Sequence, residues 1–401
     1  MSLSEPVVAD APVTLHDRSP RADRGTVTVV FVIDNMRLGG TELNAVRTAE
    51  RLDRERFRLR VVCLGEDGPL TERYRAMGVQ VENMPIRSFY GPSMLRSGWR
   101  FVQFLRRENA QIVHAHDVYS NVFASVWAPF ARVPVLITSR RWWHSLPNWK
   151  LKLGSRFAFS RSDAVLANSS QVARSVTDEG GVPESRVWTI TNFADESSFG
   201  APAEEERRRL RRGWNAPDDS VVIGCVARFD PVKDHAGLLR AFALLRARDR
   251  RAFLVLVGDG EILPELEALV TELGMEGAVH FAGEVRGTRN LHRGFDISVL
   301  ASLSEGFPNT LVEAMAAGNP VVATAVGGSI DAVAHEKTGL LVTPGRPDEL
   351  AEAMLRLVQC PALRTAFGEE GARRAFVLYN ASSVVSSLED MYRQLVARAG
   401  R

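Results

Sequence analysis

The sequence has few cysteines and no long apolar run. Of its 401 residues three are cysteines, Cys63, Cys225 and Cys360, and each stands alone in the chain. Isolated cysteines favour small buried side chains in a reducing compartment over a disulfide framework or a metal site. No apolar run reaches the roughly 20 residues that a membrane-spanning helix needs. We therefore expect a cytoplasmic protein.

The chain also lacks an excess of either charge, because 50 basic residues nearly balance 48 acidic ones. That balance gives no indication of a nucleic-acid partner. One stretch, residues 118–162, has no acidic residue, but it contains seven of the basic residues and four of the seven tryptophans. Such a composition is typical of contact with an anionic lipid surface or a lipid-phosphate acceptor. A solvated basic face with buried tryptophans and a single-stranded nucleic-acid site are the alternatives.

Short β-branched runs alternate with segments of helical period along most of the chain. Many of the runs are apolar throughout, which is typical of parallel strands that are covered on both faces. The pattern predicts an α/β protein with two doubly wound parallel sheets. Eleven runs are predicted strands: 27–33, 59–64, 112–116, 135–138, 164–167, 187–191, 221–227, 253–257, 279–282, 297–301 and 320–325.

The strands form two sets, and a charged segment with two prolines, residues 195–219, lies between them. We predict a first domain over 26–199 and a second over 200–375. Residues 1–25 are polar and lack the apolar core of a secretory signal, so we expect a disordered leader. Over 376–401, apolar residues at helical spacing predict a helix that packs back on the first domain. Ligands bind at the carboxyl ends of such strands, so we expect the functional residues in the loops there.

Two loops of the first half carry candidate ligand-binding residues. Gly39 and Gly40 follow the first predicted strand, where paired glycines let the backbone approach a phosphate or a sugar hydroxyl. A plain tight turn is the alternative. His114 and His116 end another strand and project to the same face. They suit a polar edge of a substrate site or a structural role, and a metal would need further ligands.

The second half carries two pairs of charged residues. Arg228 is predicted to end a buried strand and Lys233 to begin a helix, so both cations can converge on one diphosphate. Two solvated surface cations are the alternative. Glu305 precedes a predicted helix that contains Glu313, and Pro308 and Asn309 are suited to its start. The first amides of that helix suit phosphate, whereas the two carboxylates suit hydroxyls on either side of it. An ordinary capped surface helix is the alternative.

These motifs resemble those of the retaining glycosyltransferases of family 4, which have the GT-B fold. The resemblance covers residues 27 to about 360 and is more specific in the second half. Its Glu-x7-Glu motif is matched by Glu305 and Glu313, and its Arg-x4-Lys element by Arg228 and Lys233. Its Gly-Gly loop and His-x-His strand end are matched at residues 39–40 and 114–116.

The resemblance implies a function and a role for each position. Transfer of a sugar from a UDP- or GDP-sugar to a lipid-linked or glycan acceptor is implied, with retention of anomeric configuration and without a metal or cofactor. Arg228 and Lys233 would neutralise the donor diphosphate, Glu313 would hold the ribose and Glu305 the transferred sugar. His116 would lie beside sugar and acceptor, with His114 supporting it. Further donor contacts are implied at Gly39, Gly40, Val285, Arg286, Asn309, Thr310 and Leu311.

The first domain would then be the acceptor side and the second the nucleotide-sugar side. We expect a membrane-proximal acceptor at the inner face of the membrane, contacted through 118–162, in the synthesis of a cell-surface polysaccharide or glycolipid. Many relatives have glycine where this chain has Pro308, which affects the backbone contacts there. The absence of an Asp-x-Asp motif agrees with metal independence. A nucleotide-sugar epimerase of the same fold and a catalytically idle binding module are the alternatives.

Overall fold

The computed structural model describes residues 25–86, 91–142, 148–200, 203–285 and 288–400. The described residues contain thirteen strands in two parallel sheets. The first sheet has the order β3-β2-β1-β4-β5-β6-β7 and the second the order β10-β9-β8-β11-β12-β13. The strands are β1 (Val27–Ile33), β2 (Phe57–Cys63), β3 (Val81–Asn83), β4 (Ile112–Ala115), β5 (Val135–Arg140), β6 (Ala164–Ala167), β7 (Val187–Thr189), β8 (Val221–Val226), β9 (Ala252–Val257), β10 (Val279–Gly283), β11 (Ile297–Leu300), β12 (Val321–Thr324) and β13 (Gly339–Val342).

Helices connect the strands in both halves, which confirms the predicted α/β class. They are α1 (Gly40–Arg51), α2 (Pro69–Ala76), α3 (Pro92–Arg107), α4 (Val118–Trp127), α5 (Trp149–Arg161), α6 (Ser170–Asp178), α7 (Glu204–Gly213), α8 (His235–Arg246), α9 (Leu263–Glu272), α10 (Asn309–Ala316), α11 (Ser329–Ala332), α12 (Pro347–Gln359), α13 (Pro361–Leu378) and α14 (Ala381–Ala399). No helix among the described residues is both long enough and apolar enough to cross a bilayer.

All eleven predicted strands form, with ends within two residues of the prediction. Two strands were missed, and both lie at a sheet edge. The run Val-Glu-Asn of β3 is only half-buried, and β13 begins with Gly339. The strand β3 contains polar residues, and β13 has only three apolar residues after its glycine, so neither forms a long apolar run of the kind that marks a covered parallel strand.

The first sheet is covered on both faces because successive side chains of a strand point in opposite directions. Val30 and Val32 of β1 pack with aromatic residues of α3 and α4. Val29, Phe31 and Ile33 pack on the other face with side chains of α1 and α14. The apolar stripe of α14 thus lies on the first sheet, although α14 follows the whole second sheet in the chain. The domain boundary near residue 199 stays a prediction.

Candidate active site

The loop after β1 is shaped around the carboxylates of buried Glu42 and half-buried Asp34, which the sequence argument missed. Gly39 is the extended N-cap of α1, and a Cβ added there would lie 2.2 Å from an oxygen of Glu42. Glu42 is buried, accepts a hydrogen bond of 2.9 Å from Asn35 and has its pKa raised by burial. At Gly40 an added Cβ would meet no atom within 4 Å. A side chain at residue 39 would therefore displace the carboxylate of Glu42, whereas Gly40 borders open space.

Asp34, the second of these carboxylates, directly follows β1 and binds the start of α4. Its two oxygens accept hydrogen bonds from the backbone amides of Ser120 at 2.6 Å and Tyr119 at 3.1 Å. Burial, with the nearby carboxylate of Asp117, raises the pKa of Asp34 to about 7. An acidic residue at the end of a buried strand was the signal that could have identified it.

His114 lies in β4 and His116 directly follows it. Both are buried, and their rings stack with centroids 4.2 Å apart. His114 is held on both sides, by the hydroxyl of Tyr392 at 2.7 Å and that of Ser139 at 2.9 Å. Both ring nitrogens of His116 are buried without a hydrogen-bond partner. Burial holds the pKa of both histidines well below the ordinary value, so both rings are neutral near pH 7. An unsatisfied neutral imidazole suits a ligand hydroxyl.

Arg228 and Lys233 both lie inside the loop between β8 and α8, whereas the sequence predicted them at a strand end and a helix start. The strand β8 ends at Val226, and Lys233 ends a 3₁₀ turn (Pro231–Lys233) two residues before α8. The side chain of Arg228 is exposed and pairs with Asp230 at 2.7 Å. Lys233 pairs instead with Glu305 at 2.5 Å. Against the effect of burial, a hydrogen bond from the backbone amide of Val232 and the charges of Arg228 and Lys233 lower the pKa of Asp230. The structure thus pairs Arg228 with Asp230 and Lys233 with Glu305, and both cations lie close enough to Asp230 to lower its pKa.

Glu305 is held in a tight loop between β11 and α10. Besides the ammonium of Lys233, its Oε1 accepts a hydrogen bond of 2.6 Å from the hydroxyl of Ser302. A Cβ added to Gly327 would lie 1.7 Å from the carbonyl oxygen of Glu305. A Cβ added to Gly306 would lie 2.0 Å from the carbonyl oxygen of Arg141, which follows β5 of the first sheet. Loops at the carboxyl ends of the two sheets therefore touch at Glu305.

The helix α10 begins at Asn309, with Pro308 as N-cap and no side-chain cap. The Oδ1 of Asn309 is buried without a partner, and the hydroxyl of Thr310 lies 3.5 Å from His292. Leu311 is buried in the core of the second half, so only its backbone could serve a ligand. Val285 is half-buried after β10, and the predicted contact at residue 286 lies outside the described residues. An uncapped helix start is suited to a phosphate.

Glu313 of α10 forms an ion pair that was not anticipated. Its Oε1 lies 3.2 Å from Arg47 of α1, and Arg47 also lies 2.6 Å from Asp195. Arg51, one turn further along α1, pairs with the other oxygen of Asp195 at 2.6 Å. The side chains of Arg47 and Asp195 are 2% and 1% exposed, so this network is desolvated. It connects the predicted ribose-binding carboxylate to the first half of the chain.

Two more contacts join the halves beside this network. Asp331 of α11 accepts hydrogen bonds of 2.6 Å from both the amide and the hydroxyl of Ser170 at the start of α6. The side chain of Asn192 donates to the carbonyl of Phe307. Among the described residues, no group of three or more His, Cys, Asp or Glu side chains could hold a metal ion.

Two family models cover most of the chain. Residues 38–198 match the model for Glycosyltransferase Family 4, and residues 206–374 match the model for Glycosyl transferases group 1. EpsF of Bacillus subtilis (strain 168), which is named as a glycosyltransferase, is 31% identical over 320 residues. That match covers 76% of this chain and 81% of EpsF. The chain belongs to glycosyltransferase family 4.

Other similar proteins extend the comparison. The lipopolysaccharide core biosynthesis glycosyltransferase LpsE of Rhizobium meliloti (strain 1021) is 31% identical over 239 residues, which cover 60% of this chain and 65% of LpsE. HepE of Anabaena, solved in complex with UDP, superposes with a TM-score of 0.82 at 22% identity, covering 92% of this chain and all of HepE. At that identity the likeness to HepE shows the GT-B fold alone. This family-4 chain is therefore a glycosyltransferase with two facing parallel-sheet units.

Proposed function

We propose that this family-4 enzyme transfers a sugar from a nucleoside-diphosphate sugar, with retention of anomeric configuration and without a metal. The contact that carries the proposal is the pair of Lys233 and Glu305, which lies where the loops of the two sheets touch. Negative charge grows on a leaving diphosphate during transfer. Cations and a helix start that face the diphosphate stabilise such charge.

The proposed donor contacts follow from the geometry of the second half. Lys233 and Arg228 bind the diphosphate with the first amides of α10, in exchange for part of their present ion pairs. Glu305 binds hydroxyls of the transferred sugar, and Glu313 binds the ribose. The contact with Arg47 takes one of about four acceptor positions that a carboxylate offers, so Arg47 can orient Glu313 while it binds the ribose. His116 presents its unsatisfied nitrogens to the sugar or the acceptor.

A UDP- or GDP-sugar is the proposed donor. HepE, which shares the fold, is solved with UDP, and this supports a uridine nucleotide first. The proposed process is the synthesis of a cell-surface polysaccharide or glycolipid. The likeness to LpsE, a lipopolysaccharide core biosynthesis glycosyltransferase, supports that assignment.

The proposed acceptor is lipid-linked or a glycan, reached from an anionic membrane surface at the inner face. Exposed Trp149, Leu153 and Phe157 recur every fourth residue on α5 and so share one side of that helix. On α3, Leu95 and Trp99 are exposed at the same spacing. The helix α4 contacts both α3 and α5, so the two exposed stripes belong to one layer of helices. Apolar side chains beside lysine and arginine suit insertion at an anionic interface.

Flotation with vesicles tests the membrane part of the proposal. The wild type should float with vesicles of phosphatidylcholine mixed with phosphatidylglycerol at low salt, and less so at high salt. Trp149→Ser should reduce flotation, whereas Leu244→Ser, which removes an exposed leucine of the second half, should not. Wild-type protein that stays in solution at low salt would exclude this membrane contact.

The product of the reaction tests the chemistry. Proton NMR of the glycoside formed from a UDP- or GDP-sugar should show the anomeric configuration of the donor, with a rate that EDTA does not change. An inverted product would overturn the retaining assignment. A rate abolished by EDTA and restored by a divalent cation would overturn metal independence. Conversion of the donor sugar without transfer would identify an epimerase instead.

A further inference from the structure

A cavity outside the donor site lies between α5 and the end of α6, where β5 ends. Its volume is about 320 Å³, and its walls include Trp142, Phe159 and Gly180. Pockets of this size hold small organic ligands. The cavity is also close to the proposed active site in sequence and in space. Its wall residue Arg140 directly precedes Arg141, whose carbonyl contacts Gly306 beside Glu305.

The charge of the cavity is mostly positive. Arg140, Lys152 and Arg156 line it, and Glu179 is the carboxylate among its lining residues. Lys152 and Arg156 are exposed, and the side chain of Glu179 is 67% exposed. Three cations around one solvated carboxylate leave a net positive charge that favours an anionic ligand.

Arg140 is buried, and the hydrogen bonds that its guanidinium donates are all long. It is 7% exposed, and its guanidinium donates to the carbonyls of Trp142 and Ser175 at 3.4 and 3.3 Å and to Glu179 at 3.4 Å. Hydrogen bonds between a cation and an oxygen are normally shorter than these, at about 2.7–2.9 Å. A buried guanidinium with weak partners has capacity for a stronger anionic acceptor.

Two further donors at this cavity lack a partner altogether. The hydroxyl of Ser155 is buried without a hydrogen bond, and Ser155 as a whole is 5% exposed. The indole N–H of Trp142 is likewise buried and unpartnered. Buried polar groups are rarely left unsatisfied, so each such group needs a specific explanation. Both residues line the same cavity as the three cations.

We propose that this cavity binds a phosphate group of the acceptor. A phosphate has three strongly accepting oxygens and a charge near −2 at neutral pH, which match the hydroxyl, the indole N–H and the guanidinium groups. The inference rests on the proposed glycosyl transfer and names the chemistry of its acceptor. The phosphate belongs either to a lipid headgroup, for which α5 offers the exposed stripe described above, or to a soluble phosphorylated acceptor.

Calorimetric titration of the full chain, saturated with UDP, tests the assignment. The probes are glycerol 3-phosphate and dihexanoyl phosphatidic acid kept below its micelle concentration, which share one headgroup. Ser155→Ala and Arg156→Gln should each weaken binding of the phosphatidic acid at least tenfold, because each removes a hydrogen bond to a charged group. Arg161→Gln changes another exposed arginine of α5, outside the cavity lining, and should leave the affinity within twofold.

Comparison of the two probes distinguishes the sources of the phosphate. Much tighter binding of the phosphatidic acid supports a lipid-borne phosphate, whereas equal affinities support a soluble phosphorylated acceptor. Absence of binding by both probes, or equal losses in Arg156→Gln and Arg161→Gln, would overturn the proposal. UDP binding is measured first in a separate titration. If UDP does not bind, the proposed donor site fails, and the same titrations without UDP still decide the cavity.

Discussion

Replacement of Arg47 by methionine should destabilise the fold strongly. Methionine keeps the unbranched shape of the stem but removes the charge that neutralises Asp195 and contacts Glu313. Removal of one partner of a buried ion pair costs about 3–5 kcal/mol, because the other charge stays desolvated. Arg51 still pairs with Asp195 at 2.6 Å, so we expect the lower end, about 3 kcal/mol.

Urea unfolding followed by tryptophan fluorescence measures this loss. Arg51→Met is the matched control, because it removes an arginine from the same helix and the same carboxylate. Its side chain is 22% exposed, so the expected loss is about 1 kcal/mol or less. The double variant Arg47→Met with Asp195→Asn should recover part of the stability, since both members of the pair are then neutral. A loss for Arg47→Met no larger than that for Arg51→Met would refute the reasoning.

Three other predictions concern separate parts of the molecule. Glu313→Ala should weaken nucleotide binding in calorimetry, whereas Glu305→Ala should mainly lower kcat. Equal nucleotide affinity in the wild type and Glu313→Ala would contradict the proposed contact of Glu313 with the ribose. The pKa of the Asp34 side chain is about 7 in the folded protein, against an ordinary value of 3.8. Between these two pH values the folded protein keeps a proton that the unfolded chain releases. The free energy of unfolding should therefore fall as the pH rises from about 4 to about 7. In Asp34→Asn the fall in the free energy of unfolding between pH 5 and 8 should therefore be smaller, and an unchanged fall would contradict the raised pKa. Gly306→Ala should lower the free energy of unfolding by about 1–3 kcal/mol in the same urea assay, because its Cβ would meet the backbone of Arg141. Gly213→Ala is the control, since a Cβ there has open space around it. Equal stabilities of the two variants would refute the close contact.

The fold was predictable because covered parallel strands are apolar throughout. Every run of that kind formed a strand, and the two misses are short edge strands with a polar residue or a glycine. Local motifs such as the pairs at 228–233 and 305–313 could be recognised because their members are close in sequence. Their roles as ligand contacts stay predictions.

Contacts between distant segments could not be predicted from one sequence. Arg47 and Glu313 are separated by 266 residues, and nothing in the local pattern of α1 distinguishes Arg47 from a surface arginine. The same limit applies to residues 118–162. Trp127 packs against Gly98 of another helix, whereas Trp149 is 69% exposed, although both stand among similar neighbours in the sequence. Burial in these cases depends on which helix lies alongside.

A nucleoside diphosphate should bind at Lys233, Glu305 and the start of α10. A thermal-shift screen with UDP, GDP, ADP, CMP and their sugar conjugates, with and without EDTA, tests it most directly. One nucleoside diphosphate should raise the melting temperature of the wild type as its concentration rises, independently of EDTA. The shift should be lost in Lys233→Met and kept in Arg240→Gln, which changes an exposed cation of the neighbouring helix. No shift with any nucleotide, or the same shift in Lys233→Met, would contradict the account.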